Sequence, residues 1–355
     1  MDLSDAPAFV DDEEIAIREA VPGDLPTLAA FTADTWENGD YIADAFPRWM
    51  EADDPDSETI VAVDLTADPL SADEVEGVDS ADVGELPDDR PVGICQAVGL
   101  SDHEGWMQAM RVDPAYRGRG LSVAMNDAGF YWLYQTGRRV ARNMVFSWNT
   151  GGLGTSRACG FDPGTEFRWV RPEPDASAPE VAGDASVVDG GEPRSSSSRM
   201  GSDDADAAWS FWSSSDARDD LRGLALDTGE SWALAELTRE RLRNAAQDNR
   251  LQVVSGREGG IGGFSYRTRT SEQEDDGESF TRAEYGVAAW TDPDACEALL
   301  AAISRDAAAA GADRTRVLVP EDVRWVSDTA AAGVDIGDEP DFVMAADLTR
   351  RPWER

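Results

Sequence analysis

The stretch Met110–Ser122 reads MRVDPAYRGRGLS and carries the most information about the fold of this chain. A strand-like run, Trp106–Val112, leads into it, and a helical pattern with apolar Leu121 and Met125 follows it. Glycines in such a loop let backbone N–H groups approach an anion closely, and the positive end of the following helix favours phosphate. The order strand, glycine loop, helix therefore predicts a site for a ligand that carries a pyrophosphate.

Two common phosphate-binding loops do not fit this stretch. The pattern GxGxxG fails because Val123 occupies the third glycine position after Gly118 and Gly120. The pattern GxxxxGK[ST] needs a lysine, and all 31 basic residues of the chain are arginine. A third pattern, [QR]xxGx[GA], fits at Arg117, Gly120 and Ser122, with a small serine in the last position. The alternative is a basic surface turn with incidental glycines.

The segment resembles the coenzyme A loop of the GNAT N-acetyltransferases, and the order of predicted elements supports the resemblance. A Gly160–Phe161 pair stands at the "GF" corner that this family has before its last strand. The resemblance implies an α/β (α+β) GNAT acyl-CoA N-acyltransferase fold, with a central mixed sheet flanked by helices. The predicted elements are a strand at 14–19, helices at 20–33 and 41–50, strands at 59–65, 91–100 and 106–112, a helix at 121–136, a strand at 139–147, a helix at 149–158 and a strand ending near 170.

The resemblance implies acetyl-CoA (coenzyme A) as the cofactor. In the family, the strand before the loop splays from its neighbour and its backbone contacts the pantetheine arm, which maps onto Met110 and Val112. A main-chain N–H close to Met110 would then stabilise the oxyanion. The cofactor-binding residues implied are Met110, Arg111, Val112, Arg117, Gly118, Arg119, Gly120, Leu121, Ser122 and Asn149.

The charge of the chain requires a local basic pocket for such a cofactor. The formal net charge is −40, so the long-range field repels an anion. We predict that arginines near the loop form this pocket, although Arg138 and Arg139 are equally compatible with capping a helix end. The arginines concerned are Arg111, Arg117, Arg119, Arg138, Arg139 and Arg142.

The candidate catalytic residues are Glu104, Gln108 and Ser156, and two of them depart from the family. Gln108 stands where many members have a glutamate base, and Ser156 stands where they have a tyrosine acid. Strand periodicity predicts Glu104, Gln108 and Met110 on one face, so Glu104 would take a proton from the amine through water. The alternative for Glu104 is one more exposed carboxylate. For His103, which has a suitable pKa, the alternative is a solvated turn residue.

A short stretch suggests where the acceptor binds. The sequence NGDYIADAFPRWM at Asn38–Met50 resembles the branch of the family that includes histidine N-acetyltransferases, which acetylate the α-amino group of a small amino acid. By this analogy Asp40 and Tyr41 are substrate-binding residues in the acceptor groove. Their alternative roles are helix capping by Asp40 and core packing by Tyr41.

The composition limits the partners and the setting. The chain has 71 acidic and 31 basic residues and no basic run with interleaved aromatics, so nucleic acid is excluded as an expected partner. Strong acidity without lysine resembles the cytoplasmic proteins of salt-accumulating halophiles. Cys95, Cys159 and Cys296 are scattered and predict neither disulfides nor a zinc site, so we expect buried thiols and no metal. No signal peptide or membrane span is predicted, which favours a cytoplasmic protein.

The chain is long enough for two domains, and its composition suggests where they divide. Residues 173–205 are rich in Pro, Asp, Ser, Gly and Ala, which predicts a flexible linker between a GNAT domain at 1–172 and a second domain at 206–355. The predicted elements after the linker begin with apolar periodicity at 225–246. They continue with strands at 251–255, 260–268 and 280–291, a helix at 295–310, a strand at 314–319, a short helix and a strand at 341–348.

The second half resembles a degenerate copy of the first. RVDP at Arg111–Pro114 corresponds to WTDP at Trp290–Pro293, and CGFD at Cys159–Asp162 corresponds to AGVD at Ala332–Asp335. The copy is shorter after its Asp-Pro pair, and the missing residues are those of the arginine-glycine loop. We therefore predict a second GNAT-like domain without a coenzyme A loop, and one cofactor site per chain.

Two classes of function remain open. The first is an N-acetyltransferase that transfers acetyl from acetyl-CoA to a primary amine of a small molecule, amino acid or peptide by direct attack. The second is a non-catalytic acetyl-CoA sensor or partner-binding module, which the replacement of the usual acid and base by Ser156 and Gln108 would suit. The protein is expected to be a monomer with pseudo-dimeric halves or a homodimer.

Overall fold

The computed structural model describes residues 9–35, 39–52, 54–81, 83–179, 202–257, 260–275 and 278–354. The chain divides into two compact units that are not continuous in sequence. The first unit comprises Met1–Val145, Asn149–Pro163 and Met344–Arg355, and the second comprises Phe146–Trp148 and Gly164–Val343. The predicted domains at 1–172 and 206–355 are continuous, so their boundaries differ from those of the compact units.

Strands and helices alternate through both halves of the chain. The first half forms β1 (Ile15–Glu19), α1 (Leu25–Thr32), α2 (Ile42–Glu51), β2 (Ser57–Asp64), β3 (Arg90–Gly99), β4 (Glu104–Val112), α3 (Leu121–Gln135), β5 (Val140–Phe146) and α4 (Thr150–Ala158). The second half forms β6 (Asp162–Arg171), α5 (Ser202–Ser213), α6 (Asp216–Asp220), β7 (Leu224–Leu226), β8 (Leu234–Glu236), α7 (Arg239–Gln247), β9 (Leu251–Ser255), β10 (Ile261–Asp275), β11 (Glu278–Trp290), α8 (Pro293–Ala309), β12 (Arg314–Pro320), α9 (Val323–Ala331), β13 (Asp335–Ile336) and β14 (Asp341–Asp347).

The sheet of the first unit opens between two of its strands. Its order is β1-β2-β3-β4-β5, followed by β14. The strands β1 to β4 are antiparallel neighbours, whereas β4 and β5 are parallel and pair only at Glu104–Trp106 with Val140–Arg142. Residues 107–112 of β4 and 143–146 of β5 make no pairs with each other, so the two strands diverge toward their C-terminal ends.

Helix α3 packs closely on this sheet because glycine at the contact has no side chain that would hold the helix away from the strands. A Cβ atom on Gly93 of β3 would lie 2.7 Å from Cε of Met125, which leaves no room for a larger residue. Met125, Phe130 and Phe161 are fully buried in the core that forms around α3. The apolar periodicity of the sequence in α3 therefore marks the face that covers the strands.

The end of the chain belongs to the core of the first unit. Met344, Ala346 and Leu348 are buried in the core around α3. The N–H of Leu348 donates to the carbonyl oxygen of Arg139 at 3.0 Å, and the ring of Trp353 lies 5.1 Å from that of Tyr134. These contacts explain why residues from Met344 onward group with the first half of the chain rather than the second.

The sheet strands of the second unit follow the order β6-β12-β11-β10-β9, with β13 paired to β6. The strands β11 and β12 are parallel, and β9, β10 and β11 are antiparallel neighbours. The apolar periodicity at 225–246 corresponds to the hairpin β7-β8 and helix α7 rather than to one continuous element. The mixed α/β architecture predicted for both halves is confirmed.

The predicted linker is ordered at both of its ends. Arg305 donates to the carbonyl oxygens of Ala178 and Pro179 at 3.1 and 2.6 Å, and the hydroxyl of Thr315 donates to that of Pro172 at 2.5 Å. Helix α5 begins at Ser202, inside the predicted linker. The part of the linker from 180 to 201 lies outside the described residues.

Candidate cofactor and catalytic site

The loop between β4 and α3 leaves open space in front of its backbone. Asp113 ends the strand, and its carboxylate accepts the N–H of Ala115 at 2.9 Å. Gly118 and Gly120 have φ angles of 82° and 81°, in the left-handed region that favours glycine. A Cβ atom on either glycine would have no neighbour within 4 Å. The two glycines therefore give the loop its course and keep its surface open to a ligand.

The start of α3 presents backbone donors to this space. Gly120 is the N-cap and has no side chain to accept from them. The N–H groups of Val123 and Ala124 donate to the carbonyl oxygen of Gly120, at 3.0 and 3.1 Å. Within the described part of the chain, no acceptor is found for the N–H groups of residues 119 to 122. Backbone donors at a helix N-terminus, together with the helix dipole, are groups that can bind an anion.

Of the three arginines nearest the loop, only one lacks an acidic partner among the described residues. Arg117 is exposed and makes no ion pair there. Arg119 donates to Asp12 at 2.5 Å, and this hydrogen bond lowers the pKa of the Asp12 carboxyl. Arg111 donates through Nε to Asp40 at 2.6 Å. Arg117 is therefore the guanidinium of these three that is exposed without an acidic partner among the described residues.

The other predicted arginines do not reach the loop. Arg138 and Arg139 follow the C-terminal end of α3, about 22 Å along the helix from its start. Arg138 donates to the carbonyl oxygen of Ser101, and Arg139 lies over the ring of Tyr134. Arg142 is in a buried ion pair with Glu104. The prediction of a six-arginine pocket is thus wrong, because these three side chains are used in local structure.

A bulge in β4 changes which side chains share a face. Gln96 of β3 is opposite Gln108, and Ile94 is opposite Arg111, so β4 has one extra residue over this interval. Ala109 has a φ angle of 59°, which marks the bulge. Ala109 packs with the core beneath α1 and α2, while Met110 packs with the core around α3. The prediction that Glu104, Gln108 and Met110 lie on one face is wrong for Met110.

Gln108 belongs to a chain of side-chain hydrogen bonds across three strands. Its Nε2 donates to Oε1 of Gln96 at 2.8 Å, and Nε2 of Gln96 donates to the hydroxyl of Thr59 at 3.3 Å. Gln96 and Thr59 are buried. An amide takes no proton at neutral pH, so Gln108 orients neighbouring groups and does not act as a base.

Glu104 lies at the paired end of β4 and has partners of its own. Arg142 donates to its Oε1 at 2.6 Å, and the hydroxyl of Ser101 donates to Oε2 at 3.1 Å. The Glu104 side chain is 9% exposed, so the alternative of an exposed carboxylate is wrong. Four residues along a strand separate it from Gln108 by about 13 Å. His103 is exposed in the preceding turn.

Ser156 and Asn149 lie on or next to α4, and an asparagine that the sequence interpretation missed joins them. The hydroxyl of Ser156 is buried and accepts from Nδ2 of Asn143 at 3.0 Å. Asn149 is the N-cap of α4 and accepts the N–H of Gly152 at 2.9 Å. Asn143 lies on the same face of β5 as the buried residues Ala141 and Val145. A polar residue at an inward-facing position of a strand was the signal that marks it.

The two predicted acceptor residues lie at the start of α2. Asp40 accepts the N–H of Ile42 at 3.2 Å and binds Arg111 of β4, and its side chain is 1% exposed. Tyr41 is 48% exposed and lies 5.6 Å below the guanidinium of Arg111. Core packing, the alternative role for Tyr41, is therefore wrong. The structure thus brings together Asp40, Tyr41 and Arg111, and the negative charge of Asp40 is paired with the positive charge of Arg111.

The described residues also include the three cysteines, and they bear on the arrangements that metal sites and membrane spans require. All three cysteines are buried, and none of them forms a disulfide. No group of acidic, histidine or cysteine side chains in the described ranges has an arrangement that would hold a metal ion. No described helix is both long and apolar enough to cross a membrane.

Known structures of one fold resemble this chain. A GCN5-related N-acetyltransferase from Sphaerobacter thermophilus matches 95% of this chain and 96% of its own, with a TM-score of 0.54 and 15% identity. A GCN5-related N-acetyltransferase from Kribbella flavida matches 93% and 70%, with a TM-score of 0.42 and 12% identity. A probable N-acyltransferase from Enterococcus faecalis matches 95% and 74%, with a TM-score of 0.43 and 12% identity.

The first of these similarities identifies the fold. At a TM-score above 0.5 over nearly the whole of both chains, this chain has the fold of the GCN5-related N-acetyltransferases, the GNAT fold. The predicted fold is therefore confirmed. No protein-family model matches the sequence, and no curated protein matches it either.

Proposed function

We propose that the protein is a GNAT-family N-acetyltransferase that transfers acetyl from acetyl-CoA to a primary amine of a small molecule, an amino acid or a peptide. The observation that carries the proposal is the open glycine loop at the start of α3. Its N–H groups at residues 119–122 have no acceptor among the described residues, and Arg117 is exposed beside them. An anionic ligand satisfies both.

The residues present fit the cofactor. The loop from Arg117 to Ser122 would hold the pyrophosphate, with Arg117 and Arg119 as charge partners. The backbone of β4 at Met110 and Val112, which makes no pair with β5, would hold the pantetheine arm, because strands that diverge leave N–H and C=O groups for an extended ligand. Asn149 would contribute only its Nδ2 group, since its Oδ1 already caps α4.

The chain supplies orientation and charge stabilisation rather than a strong base. When bound, acetyl-CoA supplies the acetyl group as a thioester, whose C–S bond breaks as the amine nitrogen forms the new C–N bond. A main-chain N–H close to Met110 would donate to the carbonyl oxygen as negative charge develops there. Gln108 takes no proton, and Glu104 is held by Arg142 and Ser101. The amine therefore loses its proton to solvent, and catalysis relies on proximity.

The acceptor side of the proposal rests on the start of α2. Tyr41 offers an exposed ring for a cationic or apolar part of the amine substrate. Asp40 acts through Arg111, because the ion pair between them fixes the position of that guanidinium next to the bulge in β4.

The proposal includes the setting in which the enzyme works. A net charge of −40 without lysine suits a halophilic, cytoplasmic protein in molar salt, where the Debye length is about 3 Å and surface repulsion is screened. The second unit is then a tandem GNAT-like domain that retains the fold without the cofactor. Melting followed across a KCl series should show a melting temperature that rises with salt. A flat profile would argue against halophilic adaptation.

A specific observation favours a second candidate, an acetyl-CoA sensor or partner-binding module. Gln108, Glu104 and Ser156 are each engaged in hydrogen bonds with other side chains, and none is an open carboxylate beside the loop. A protein that only binds the cofactor needs no base. The enzyme remains the preferred proposal because direct attack needs only a deprotonated amine and a held thioester.

The experiment that separates the two is release of free thiol from acetyl-CoA in multimolar KCl. The panel comprises amino acids, polyamines and peptides with free N-termini. Thiol release that depends on an amine supports the transferase. Saturable acetyl-CoA binding without amine-dependent thiol over the whole panel would favour the sensor, and absence of binding would contradict both.

A further inference from the structure

The strand β9 ends the sheet order of the second unit, and one of its edges has no neighbour among the described strands. The other edge pairs with β10, from Leu251 opposite Tyr266 to Ser255 opposite Ile261. Within the described part of the chain, residues 251–255 form no backbone hydrogen bond outside this pairing. The second unit therefore has an open strand edge, which is a template for pairing with another strand.

The hydrogen bonds to β10 determine which backbone groups of β9 point outward. The N–H of Arg267 donates to the carbonyl oxygen of Arg250 at 2.8 Å, so these two residues form a pair of the hydrogen-bonded kind. Hydrogen-bonded and non-hydrogen-bonded pairs alternate along antiparallel strands, so Gln252 is again hydrogen-bonded to β10. The N–H and C=O groups of Leu251 and Val253 consequently point away from the sheet.

The sequence of β9 lacks the features that normally prevent two strand edges from pairing. It reads LQVVS, without a charge or a proline, and the burial of Leu251 and Val254 holds the strand in place. The strand at the other end of the sheet order, β1, carries Arg18 and Glu19 and follows the acidic run 11–14. Of these two edge strands, β9 is thus the one that is open to association.

We propose that β9 pairs antiparallel with β9 of a second copy of this chain, with Val253 of the two copies opposite each other. An antiparallel pair of identical strands has two-fold symmetry, so the same edge serves both copies and the assembly closes as a homodimer. The N–H of Val253 then donates to the carbonyl oxygen of Val253 in the second copy, and the reverse bond forms by symmetry. The pairing does not require acetyl-CoA.

The charges of the chain favour an identical strand as the partner. At a net charge of −40 two copies repel each other at long range, but in molar salt the Debye length is about 3 Å, so that only charges in direct contact matter. The strand brings no charge to the axis, and Arg250 and Arg257 at its ends are already paired with Asp248 and Asp294. A basic partner would bind to carboxylates rather than to this uncharged edge.

Sedimentation in multimolar KCl over a series of protein concentrations tests the proposal. The wild type should have twice the mass of one chain, and its dimer should weaken as the salt is lowered. Val253→Pro removes an outward N–H without removing a bond to β10, as proline on a strand edge can do. We expect the dimer dissociation constant to rise at least about tenfold, because both hydrogen bonds at the axis are lost.

Two control variants separate the open edge from a general effect of substitution. Val253→Thr keeps the backbone N–H and a β-branched side chain, and it should form the dimer as the wild type does. Ile17→Pro places a proline in β1 at a position of the same kind, since the N–H of Leu65 donates to the carbonyl oxygen of Glu14 and the N–H of Ile17 therefore points outward. This variant should also remain a dimer.

Hydrogen exchange in the wild type gives a second measurement that needs no variant and decides the case if Val253→Pro does not fold. The amides of Leu251 and Val253 should be protected at high protein concentration and lose protection on dilution, whereas the amide of Gln252 stays protected. The proposal is overturned by a wild type that is monomeric at every concentration. It is also overturned by a dimer that survives unchanged in Val253→Pro or leaves the amide of Val253 unprotected.

Discussion

Each half of the chain has an Asp-Pro pair, and the two pairs have different places in the structure. In the first half, Asp113 and Pro114 begin a loop, and α3 starts only at Leu121. In the second half, Asp292 is the N-cap of α8 and Pro293 is the first residue of that helix. The second half therefore has no counterpart of the residues that hold the two left-handed glycines of the loop in the first half.

This difference determines which groups accept hydrogen bonds from the N–H groups at the start of each helix. The carboxylate of Asp292 accepts the N–H groups of Asp294 and Ala295 at 3.1 Å each. Burial opposes ionisation of Asp292, but the bond from Ala295 and the Thr291 hydroxyl outweigh it and lower its pKa. The N-cap of α8 is thus itself an anion, whereas the N-cap of α3 is Gly120, which has no side chain to accept from the helix N–H groups. This contrast supports one cofactor site per chain.

Filling the open loop should have the largest effect. In Gly120→Val a β-branched side chain occupies the left-handed position and the space in front of it. We expect a loss of about 1 to 2 kcal/mol in the free energy of unfolding and a loss of acetyl-CoA affinity beyond about 100-fold. Denaturant unfolding and calorimetry measure the two. Retained affinity would show that the ligand does not approach the loop at this residue.

Removing the charges beside the loop comes next. Arg117→Ala combined with Arg119→Ala should weaken acetyl-CoA binding by about 30-fold or more. Each charge-assisted hydrogen bond contributes roughly 1.5 to 3 kcal/mol, and the loss of the ion pair with Asp12 offsets part of the contribution of Arg119. The matched control is Arg257→Ala in the second unit, where the arginine pairs with Asp294 at the start of α8. If the control weakened acetyl-CoA binding as much as the double variant does, the start of α3 could not be distinguished from the start of α8 as the cofactor site.

Removing the internal anion of α8 should have a moderate effect on stability and none on ligand binding. Asp292→Ala deletes an N-cap, which costs about 1 kcal/mol in the free energy of unfolding. The freed donors lack a glycine loop, so acetyl-CoA should still bind once per chain. Thermal unfolding gives the first result. A second binding event in calorimetry would mean that the cap alone excludes the cofactor.

The smallest effect concerns Asp12, which competes with the ligand for Arg119. Asp12→Asn should strengthen acetyl-CoA binding by about two- to threefold, because an exposed ion pair contributes little. The pKa of Asp12 is lowered in the folded protein, so the competition is complete above its ordinary pKa and disappears as the pH falls through the lowered value. Affinity measured in the variant should change less with acid pH than in the wild type. Weaker binding by Asp12→Asn would contradict the competition.

Local patterns in the sequence allowed the loop and its helix to be predicted. Gly118 and Gly120 are needed for the left-handed backbone conformation of the loop, so the loop could be predicted from these residues without knowledge of distant contacts. Helix α3 was predicted to within a residue of its ends because its apolar face is continuous. The correspondence between the Asp-Pro pairs of the two halves could also be proposed from short motifs in the sequence.

Long-range pairing determined what the sequence did not reveal. The bulge at Ala109 arises in the pairing of β3 with β4, and an alanine gives no sign of a positive φ angle. The ion pair between Arg111 and Asp40 joins residues 71 positions apart, so the partner of Arg111 was not apparent. Residues 36–38, including Asn38 at the start of the stretch used for the acceptor analogy, lie outside the described residues.

The number of acetyl-CoA molecules bound per chain tests the central claim most directly. Calorimetric titration of the full chain in multimolar KCl should give a stoichiometry of one, and Gly120→Val should abolish that event. Two equivalents per chain, or one equivalent that survives in Gly120→Val, would contradict the assignment of the cofactor to the loop before α3.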